Sequence, residues 1–149
     1  MQNIHWEIKK FSELDSSELY ALLKARVDVF VVEQNSPYPD LDYKDQFAIH
    51  IWCEDNNEIM AYCRVFPENI KYNEASIGRV LTTKKHRGKQ LGKQLVEKAI
   101  SVIENEYKTS EIRISAQDYL LKFYSEFGFV ATSKKYLEDG LPHTEMIRK

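Results

Sequence analysis

Apolar residues recur along the chain with two different periods, and these periods predict a succession of strands and helices. Residues 4–11, IHWEIKKF, predict a first strand. Asp15, with Glu18 three residues after it, has the pattern of a helix-capping box. The helix predicted from there buries one face, which carries residues at helical spacing: Leu19, Leu22, Leu23, Arg26, Val27 and Phe30.

Two apolar runs, residues 46–54 and 58–66, flank the turn sequence DNN and predict a β-hairpin. Both runs are apolar on both faces, which favours a sheet covered on two sides. The other predicted elements are strands at residues 74–82, 111–116, 129–138 and 143–149 and helices from Leu91 and over residues 118–127, the last ended by Gly128. This order predicts an α/β (α+β) fold in which one mixed sheet carries helices on both faces, within a single domain over residues 1–149.

The segment NSPYPDLDYKD, residues 35–45, cannot continue the first helix because it holds two prolines and three aspartates. It predicts an ordered loop or a lid. Two of its aspartates, Asp42 and Asp45, could attract a cationic amine.

Composition narrows the classes of function. The net charge of −2 argues against a general nucleic-acid- or membrane-surface-binding protein, because such proteins are usually more basic. The N-terminal sequence lacks the features of a signal peptide, and no apolar stretch approaches the roughly 18 residues of a membrane span. Cys53 and Cys63 form neither a metal-binding pair nor a disulfide framework. These features predict a reduced, cytoplasmic protein.

Basic residues cluster where the helix after the fourth strand is expected to begin, in TKKHRGKQLGK, residues 83–93. A helix that starts near Gly88 would present unpartnered amide groups and partial positive charge, which suit a phosphate. Gly88 and Gly92 would let a ligand approach the backbone. The segment matches neither the P-loop nor the dinucleotide-binding fingerprint. On these features alone, an anion site and a solvated basic helix start both remain open.

The longer string IGRVLTTKKHRGKQLGKQLVEKA resembles the acyl-CoA-binding motif of the GNAT acetyltransferases, Q/R-x-x-G-x-G/A at the start of a helix. Arg87 fills its first place and Gly92 its last, while Gln90 replaces the middle glycine. We expect Gln90 to hold helical dihedral angles and so to preserve the backbone path. The string FYSEFGF resembles the family's terminal helix and places Tyr124 at the proton-donor tyrosine. Gln117 stands where the family often has an asparagine.

Two more stretches, RVDVFVVEQNSPYPDLDYKD and YLEDGLPHTEM, resemble the ElaA-type branch of the GNAT family, so the resemblance covers nearly the whole chain. It implies a twisted mixed sheet whose strands four and five splay apart, with acetyl-CoA in the gap and no metal. The cofactor site that it implies consists of Val80, Leu81, Thr82, Arg87, Gly88, Lys89, Gln90, Leu91, Gly92, Lys93, Gln117 and Tyr124.

The resemblance also implies roles for single residues. A backbone N–H of Leu81 or its neighbour would polarise the thioester carbonyl, and Tyr124 would assist departure of the thiolate, although helical spacing alone favours a core aromatic there. The general base stays open. Glu33 and His143 are ranked together, Asp42, Asp45 and His50 are further candidates, and a water chain would need none of them.

The predicted function is transfer of an acetyl group from acetyl-CoA to a primary amine of a small molecule or peptide. The alternative is a non-catalytic acyl-CoA-binding module or sensor. Nucleic-acid binding by residues 84–93 is disfavoured because no aromatic residues flank that turn. No membrane partner is expected, and a homodimer stays open beside a monomer.

Overall fold

The strands of the chain pair into one sheet. A computed structural model describes residues 4–149. Its strands are β1 (His5–Lys10), β2 (Ile49–Asp55), β3 (Glu58–Phe66), β4 (Ala75–Thr82), β5 (Ile112–Gln117), β6 (Val130–Glu138) and β7 (Leu141–Arg148). They follow the order β1-β2-β3-β4-β5-β7-β6 across the sheet. Every strand predicted from the sequence is thereby confirmed, with small differences at the ends.

The helices are α1 (Ser16–Arg26), α2 (Leu91–Tyr107) and α3 (Leu121–Ser125). The predicted capping box of α1 is confirmed, since the Asp15 carboxylate accepts a hydrogen bond of 2.7 Å from the amide of Glu18. Beyond Arg26 the chain widens into a π-helical segment, Val27–Glu33, where a continuing α-helix had been expected. The last helix is also shorter than expected, because residues 118–120 form a 3₁₀ turn and α3 ends before Gly128. None of the helices within residues 4–149 has the length and apolar character that a bilayer crossing requires.

Strands β4 and β5 are parallel neighbours that separate soon after they meet. Only Ala75 and Ser76 of β4 have register partners on β5, Ile112 and Arg113. Beyond that point β5 pairs with β7, up to the partners Gln117 and His143. All other neighbouring strands are antiparallel. The sheet is therefore mixed, and its fourth and fifth strands splay as the family resemblance implies.

Helices cover both faces of the sheet. On one face Leu22, Ala25 and Val29 pack against Trp52 and Tyr62 of β2 and β3. The other face packs against α2 and α3, through residues that are almost fully buried: Leu91, Leu95, Val96, Ala99, Ile103 and Tyr124. Each strand of the β2–β3 hairpin supplies side chains to both cores, which explains why its two runs are apolar on both faces.

The segment of residues 35–45, here called the acidic loop, is held by buried ion pairs. Three arginines on α1, β3 and β4 contact three carboxylates at the loop: Arg26, Arg64, Arg79, Asp40, Asp42 and Asp45. We call this set the arginine–aspartate network. Its charges balance, and each buried guanidinium faces a carboxylate, as burial of charge requires. The acidic loop is therefore an ordered loop, one of the two outcomes that its sequence predicts.

Candidate active site

A cavity opens where β4 and β5 separate. It offers about 110 Å³ of space to water-sized molecules and opens to solvent. Its walls include Val80 of β4, Gln117 of β5, Tyr124 of α3 and His143 of β7. These four residues, far apart in the sequence, were each proposed as site residues and now line one space. The splay of the sheet creates the cavity, and α3 and the β6–β7 hairpin close its sides.

Strand β4 carries a bulge at the cavity wall. Tyr62 pairs with Leu81 and Arg64 with Gly78, so Arg79 and Val80 together lie opposite one residue of β3. Arg79 takes a positive φ of 52°, which is unfavourable for a residue with a side chain. Because β5 has already diverged, the later backbone groups of β4 on this side have no strand partner. They can pair with an extended ligand that enters the gap.

The Arg79 side chain secures this bulge. Its Nε donates a hydrogen bond of 2.8 Å to Asp40 Oδ1, and its Nη2 donates to the Asp40 carbonyl at 3.0 Å. The guanidinium also lies 5.7 Å from the ring centre of Tyr38. These contacts offset the cost of the strained backbone, so the arginine–aspartate network holds the cavity wall as well as the acidic loop.

Residues 83–90 connect β4 to α2, and the last four of them, residues 87–90, are here called the basic loop. Gly88 and Gln90 both have left-handed dihedral angles, with φ of 81° and 61°. The helix begins at Leu91, as the apolar spacing predicts, three residues after the start near Gly88 that the anion-site argument used. The expectation that Gln90 holds right-handed helical angles is wrong, because its position needs the left-handed region, which glycine enters freely. The backbone turn is therefore kept although Gln90 replaces the motif's middle glycine, and the left-handed conformation of Gln90 costs about 1 kcal/mol.

The amides at this helix start are free. Among residues 4–149, those of residues 88–93 donate no hydrogen bond to another group of the chain, and the amide of Gln94 is the first to bond back, to the Gln90 carbonyl. Gly92 lies against Thr82 and Phe123, since a Cβ there would be 3.9 Å and 3.8 Å from their nearest atoms. The basic loop thus adjoins both the end of β4 and α3. Lys89 and Lys93 are exposed beside it.

Glu33, a candidate base, lies at the end of the π segment and contacts the basic loop. Its carboxylate accepts two hydrogen bonds from the Arg87 guanidinium, one of them 2.9 Å long. The Arg87 hydrogen bonds lower the pKa of Glu33 below its ordinary value. Arg87 Nε also donates to the Thr82 carbonyl at 3.1 Å. Glu33 does not line the cavity, and its paired carboxylate is a weak proton acceptor.

We expect Glu33→Gln to strengthen CoA binding by up to about fivefold, because it frees Arg87 and removes a negative charge beside the basic loop; partly exposed ion pairs are worth about 0.2–1 kcal/mol. The turnover number should change less than about threefold. Titration calorimetry and steady-state kinetics give the two values. Glu58→Gln, which removes another carboxylate paired with basic side chains, is the control. A hundredfold loss of turnover would restore Glu33 as the base.

Tyr124 places a free hydroxyl at the cavity. The residue is only 5% exposed and packs edge-on against Phe123 and Phe129, with ring centres 5.2 and 5.9 Å away. Within residues 4–149 the hydroxyl makes no hydrogen bond, although the side chain is held on two sides. Burial raises the pKa of Tyr124 above its ordinary value, so the hydroxyl keeps its proton at neutral pH.

His143 lines the same cavity and has a fixed tautomer. Its Nδ1 lies 2.8 Å from the Leu141 carbonyl, an acceptor, so Nδ1 carries the proton of the neutral ring. Nε2 is then the proton acceptor, and it lies 3.5 Å from a carboxylate oxygen of Glu138. The ring stacks on Tyr136 at 6.0 Å.

The other candidate bases lie outside the cavity wall. Asp42 and Asp45 accept hydrogen bonds from the network arginines. Burial alone would raise the pKa of Asp45, but Arg26 and Arg64 outweigh it and lower the pKa. His50 Nε2 bonds the Asp45 carbonyl at 3.0 Å, and Nδ1 accepts from the hydroxyl of Tyr62 at 2.7 Å. Burial lowers the pKa of His50. Asp42, Asp45 and His50 are therefore already hydrogen-bonded to neighbouring groups of the chain, and their roles are structural.

Two cavity residues, Lys71 and Glu138, were not predicted from the sequence. A lysine in a connecting loop and a glutamate beside a turn have the pattern of ordinary exposed residues, so no local signal distinguishes them. One possible metal-ligand group, His5, Glu7 and Glu54, has ligand atoms within 4.8 Å of one another. It lies on β1 and β2, and none of its members lines the cavity.

Comparison with known proteins decides the family. The family model described as an acetyltransferase (GNAT) domain matches residues 23–149. The chain belongs to the GNAT acetyltransferase family. It is 38% identical over 148 residues to protein ElaA of Escherichia coli, covering 98% of this chain and 97% of that protein. The resemblance to the ElaA-type branch is thereby confirmed.

Solved structures of this GNAT branch share the whole fold. The crystal structure of Escherichia coli ElaA superposes with a TM-score of 0.91 at 38% identity, over 98% of this chain and 99% of that one. An acyl-CoA N-acyltransferase from Pseudomonas aeruginosa gives a TM-score of 0.94 at 36% identity, over 99% of this chain and 100% of that chain. The GNAT fold of this chain is therefore shown along its length.

Proposed function

We propose that this GNAT chain transfers an acetyl group from acetyl-CoA to a primary amine of a small molecule or peptide, in the cytoplasm. The observation that carries the proposal is the gap between β4 and β5, which Tyr124 lines with an unpartnered hydroxyl. Membership of the GNAT family supports acyl transfer as the class of reaction. The cosubstrate and the acceptor are the parts that we infer.

The residues present fit coenzyme A. The free amides of residues 88–93, at the positive end of α2, suit its pyrophosphate, and Lys89 and Lys93 add charge. On the side of the gap β4 has no strand partner beyond Ser76, and the backbone groups that face the gap along Val80–Thr82 suit the amides of its pantetheine arm. Arg87 would join the phosphate contacts when Glu33 releases it. When bound, acetyl-CoA supplies the thioester that the amine attacks.

His143 is the base that the geometry favours over Glu33. Its Nε2 carries the acceptor lone pair of a ring that lines the cavity, whereas the Glu33 carboxylate is paired with Arg87 and lies outside it. The proton that leaves the attacking amine goes to this nitrogen. A backbone N–H of β4, at Leu81 or its neighbour, would donate to the carbonyl oxygen as negative charge develops there.

Tyr124 assists the leaving sulfur by hydrogen bonding. Full proton transfer from a tyrosine, with a reference pKa of about 10, to a thiolate whose thiol has a pKa of about 8.5 is uphill by roughly 2 kcal/mol. Burial raises the pKa of Tyr124 and makes the transfer less favourable still. The hydroxyl therefore keeps its proton and donates a charge-assisted hydrogen bond as the thiolate forms.

The test measures CoA binding by calorimetry and thiol release from acetyl-CoA with a panel of primary amines. Gly92→Glu should weaken CoA binding at least about tenfold, because it puts a carboxylate and added bulk at the anion-binding end of α2. Ser101→Glu adds the same charge to an exposed position farther along α2 and should not.

Three outcomes separate the alternatives. CoA binding with amine-dependent thiol release supports an acetyltransferase. CoA binding without thiol release for any amine supports the non-catalytic acyl-CoA-binding module instead. Absence of CoA binding by the unaltered protein, or equal binding by Gly92→Glu, would overturn the proposed site.

A further inference from the structure

The cavity carries charges of both signs. On one side Glu138 lies next to His143. Arg64, Lys71 and Arg79 also line the cavity. Arg79 is neutralised by Asp40, whose carboxylate lies 2.8 Å from it. Arg64 is likewise paired, with Asp42 and Asp45, so the positive charge that residues 4–149 leave unmatched at the cavity is that of Lys71.

Arg64 has one donor without an acceptor. The residue is 1% exposed, and its Nη atoms bond Asp42 and Asp45. Its Nε, in contrast, is buried and has no hydrogen-bond partner. The ideal Cβ position at Gly78, another cavity residue, is 3.9 Å from this Nε. A glycine there leaves open the space that a side chain would fill. An acceptor that reached this donor from the cavity would satisfy it.

Lys71, unlike the three arginines, is a cation without a carboxylate partner in the part of the chain that the structure describes. It is exposed at the edge of the cavity, and no carboxylate of residues 4–149 forms an ion pair with it. Partial burial and then the charges of Arg79 and Arg64 lower the pKa of its amine, while Glu138 acts in the opposite direction. Because the three arginines are matched by three aspartates, Lys71 carries the unmatched positive charge at the cavity, and an anion would be attracted to it.

We propose that the acceptor is an amine that also carries a carboxylate, such as an α-amino acid. Lys71 pairs with the carboxylate, the unpartnered Nε of Arg64 attracts it, and the amine lies toward His143 and Glu138. The inference rests on the proposed function, because it names the acceptor class for the same cavity. Coenzyme A does not account for these cations, since its charged phosphates are assigned to the basic loop.

The experiment compares acids with their neutral counterparts. Alanine, leucine, phenylalanine, lysine and glutamate are tested beside their carboxamides as acceptors, with thiol release as the readout. We expect the acids to be acetylated with the higher kcat/KM. Lys71→Met should raise KM at least tenfold for the acids and less than threefold for the carboxamides. An acid and its carboxamide differ in the pKa of the amine. Because the effect of Lys71→Met on KM is measured for each of them separately, this difference cancels when the two effects are compared.

Two further variants serve as controls for Lys71→Met. Lys71→Arg keeps the charge and should keep the preference for acids. Lys24→Met removes an exposed lysine on α1 and should leave both KM values unchanged. Calorimetry with CoA is run on every variant and should show unchanged affinity.

The failures of the two proposals are distinguishable. If CoA binds and thiol is released but carboxamides are used as well as acids, or no acid is acetylated, the carboxylate inference is wrong while the acyltransferase stands. Equal effects of Lys71→Met on acids and carboxamides also overturn it. If CoA does not bind the unaltered protein, the proposed function itself has failed.

Discussion

Tyr124→Phe is expected to lower the turnover number by about 10²-fold, because it removes a hydrogen bond that strengthens as the thiolate forms. The affinity for CoA should change little, since the bound thioester gains less from that hydroxyl than the departing thiolate does. Stability should also be kept. The hydroxyl has no partner within residues 4–149, and the ring contacts with Phe123 and Phe129 survive the substitution. Steady-state kinetics, calorimetry and thermal unfolding measure the three quantities.

Tyr119→Phe is the matched control for this experiment. Tyr119 lies on the 3₁₀ turn before α3 and is 75% exposed, so its hydroxyl faces water and should not affect turnover. Because the pKa of Tyr124 is raised by burial, activity should show no loss from its deprotonation up to about pH 9. An unaltered rate in Tyr124→Phe would remove this residue from the chemistry and leave it as a core aromatic.

Local signals predicted the parts of the fold that local physics decides. The capping box at Asp15 and the turn at Asn56 and Asn57 depend on neighbours in the sequence, and both are present, the turn with φ of 51° and 66°. The π segment was not predictable in this way. Over two turns, apolar spacing cannot distinguish an α-helix from a π-helix, so the prediction continued α1 through Phe30.

The splay of β4 and β5 came from the motif resemblance. Nothing in the periodicity of either strand shows that their pairing stops after Ser76. The basic helix start was predicted for a local reason, the glycines and lysines of residues 83–93. The left-handed conformation of Gln90 was not predicted. A motif position can require a backbone conformation that its new residue does not favour, and only the structure shows that the conformation is kept.

The ranking of candidate bases depended on contacts that are distant in the sequence. His143 meets Glu138 across a hairpin, whereas Glu33 meets Arg87 across the fold, 54 residues away. Asp45 binds Arg26 and Arg64, each 19 residues from it. From the sequence, Glu33 and His143 rank together as candidate bases, and Asp45 is a further candidate. The ion pairs then divide them into groups that can receive a proton at the cavity and groups that hold the structure.

Asp45→Ala is expected to lower the free energy of unfolding by about 3–5 kcal/mol. Asp45 is 6% exposed, and its Oδ1 accepts hydrogen bonds of 2.6 Å from Arg26 and 2.8 Å from Arg64. Removing the carboxylate leaves two buried guanidinium groups short of one negative charge, which is the costly way to alter a buried ion pair. Urea unfolding measures the loss. Asp28→Ala, which breaks an exposed pair with Lys24, should cost less than about 1 kcal/mol.

The difference between the unaltered protein and Asp45→Ala should depend on pH. Arg26 and Arg64 lower the pKa of Asp45 in the folded state below its ordinary 3.8, despite burial. The unfolded chain therefore binds this proton first as the pH falls, so the stabilisation is present above about pH 4 and is lost as the pH drops through the folded-state pKa. Unfolding experiments from neutral pH downward should show the two stabilities converging in acid. A constant difference down to about pH 2 would mean that packing of the side chain, and not its charge, stabilises the acidic loop.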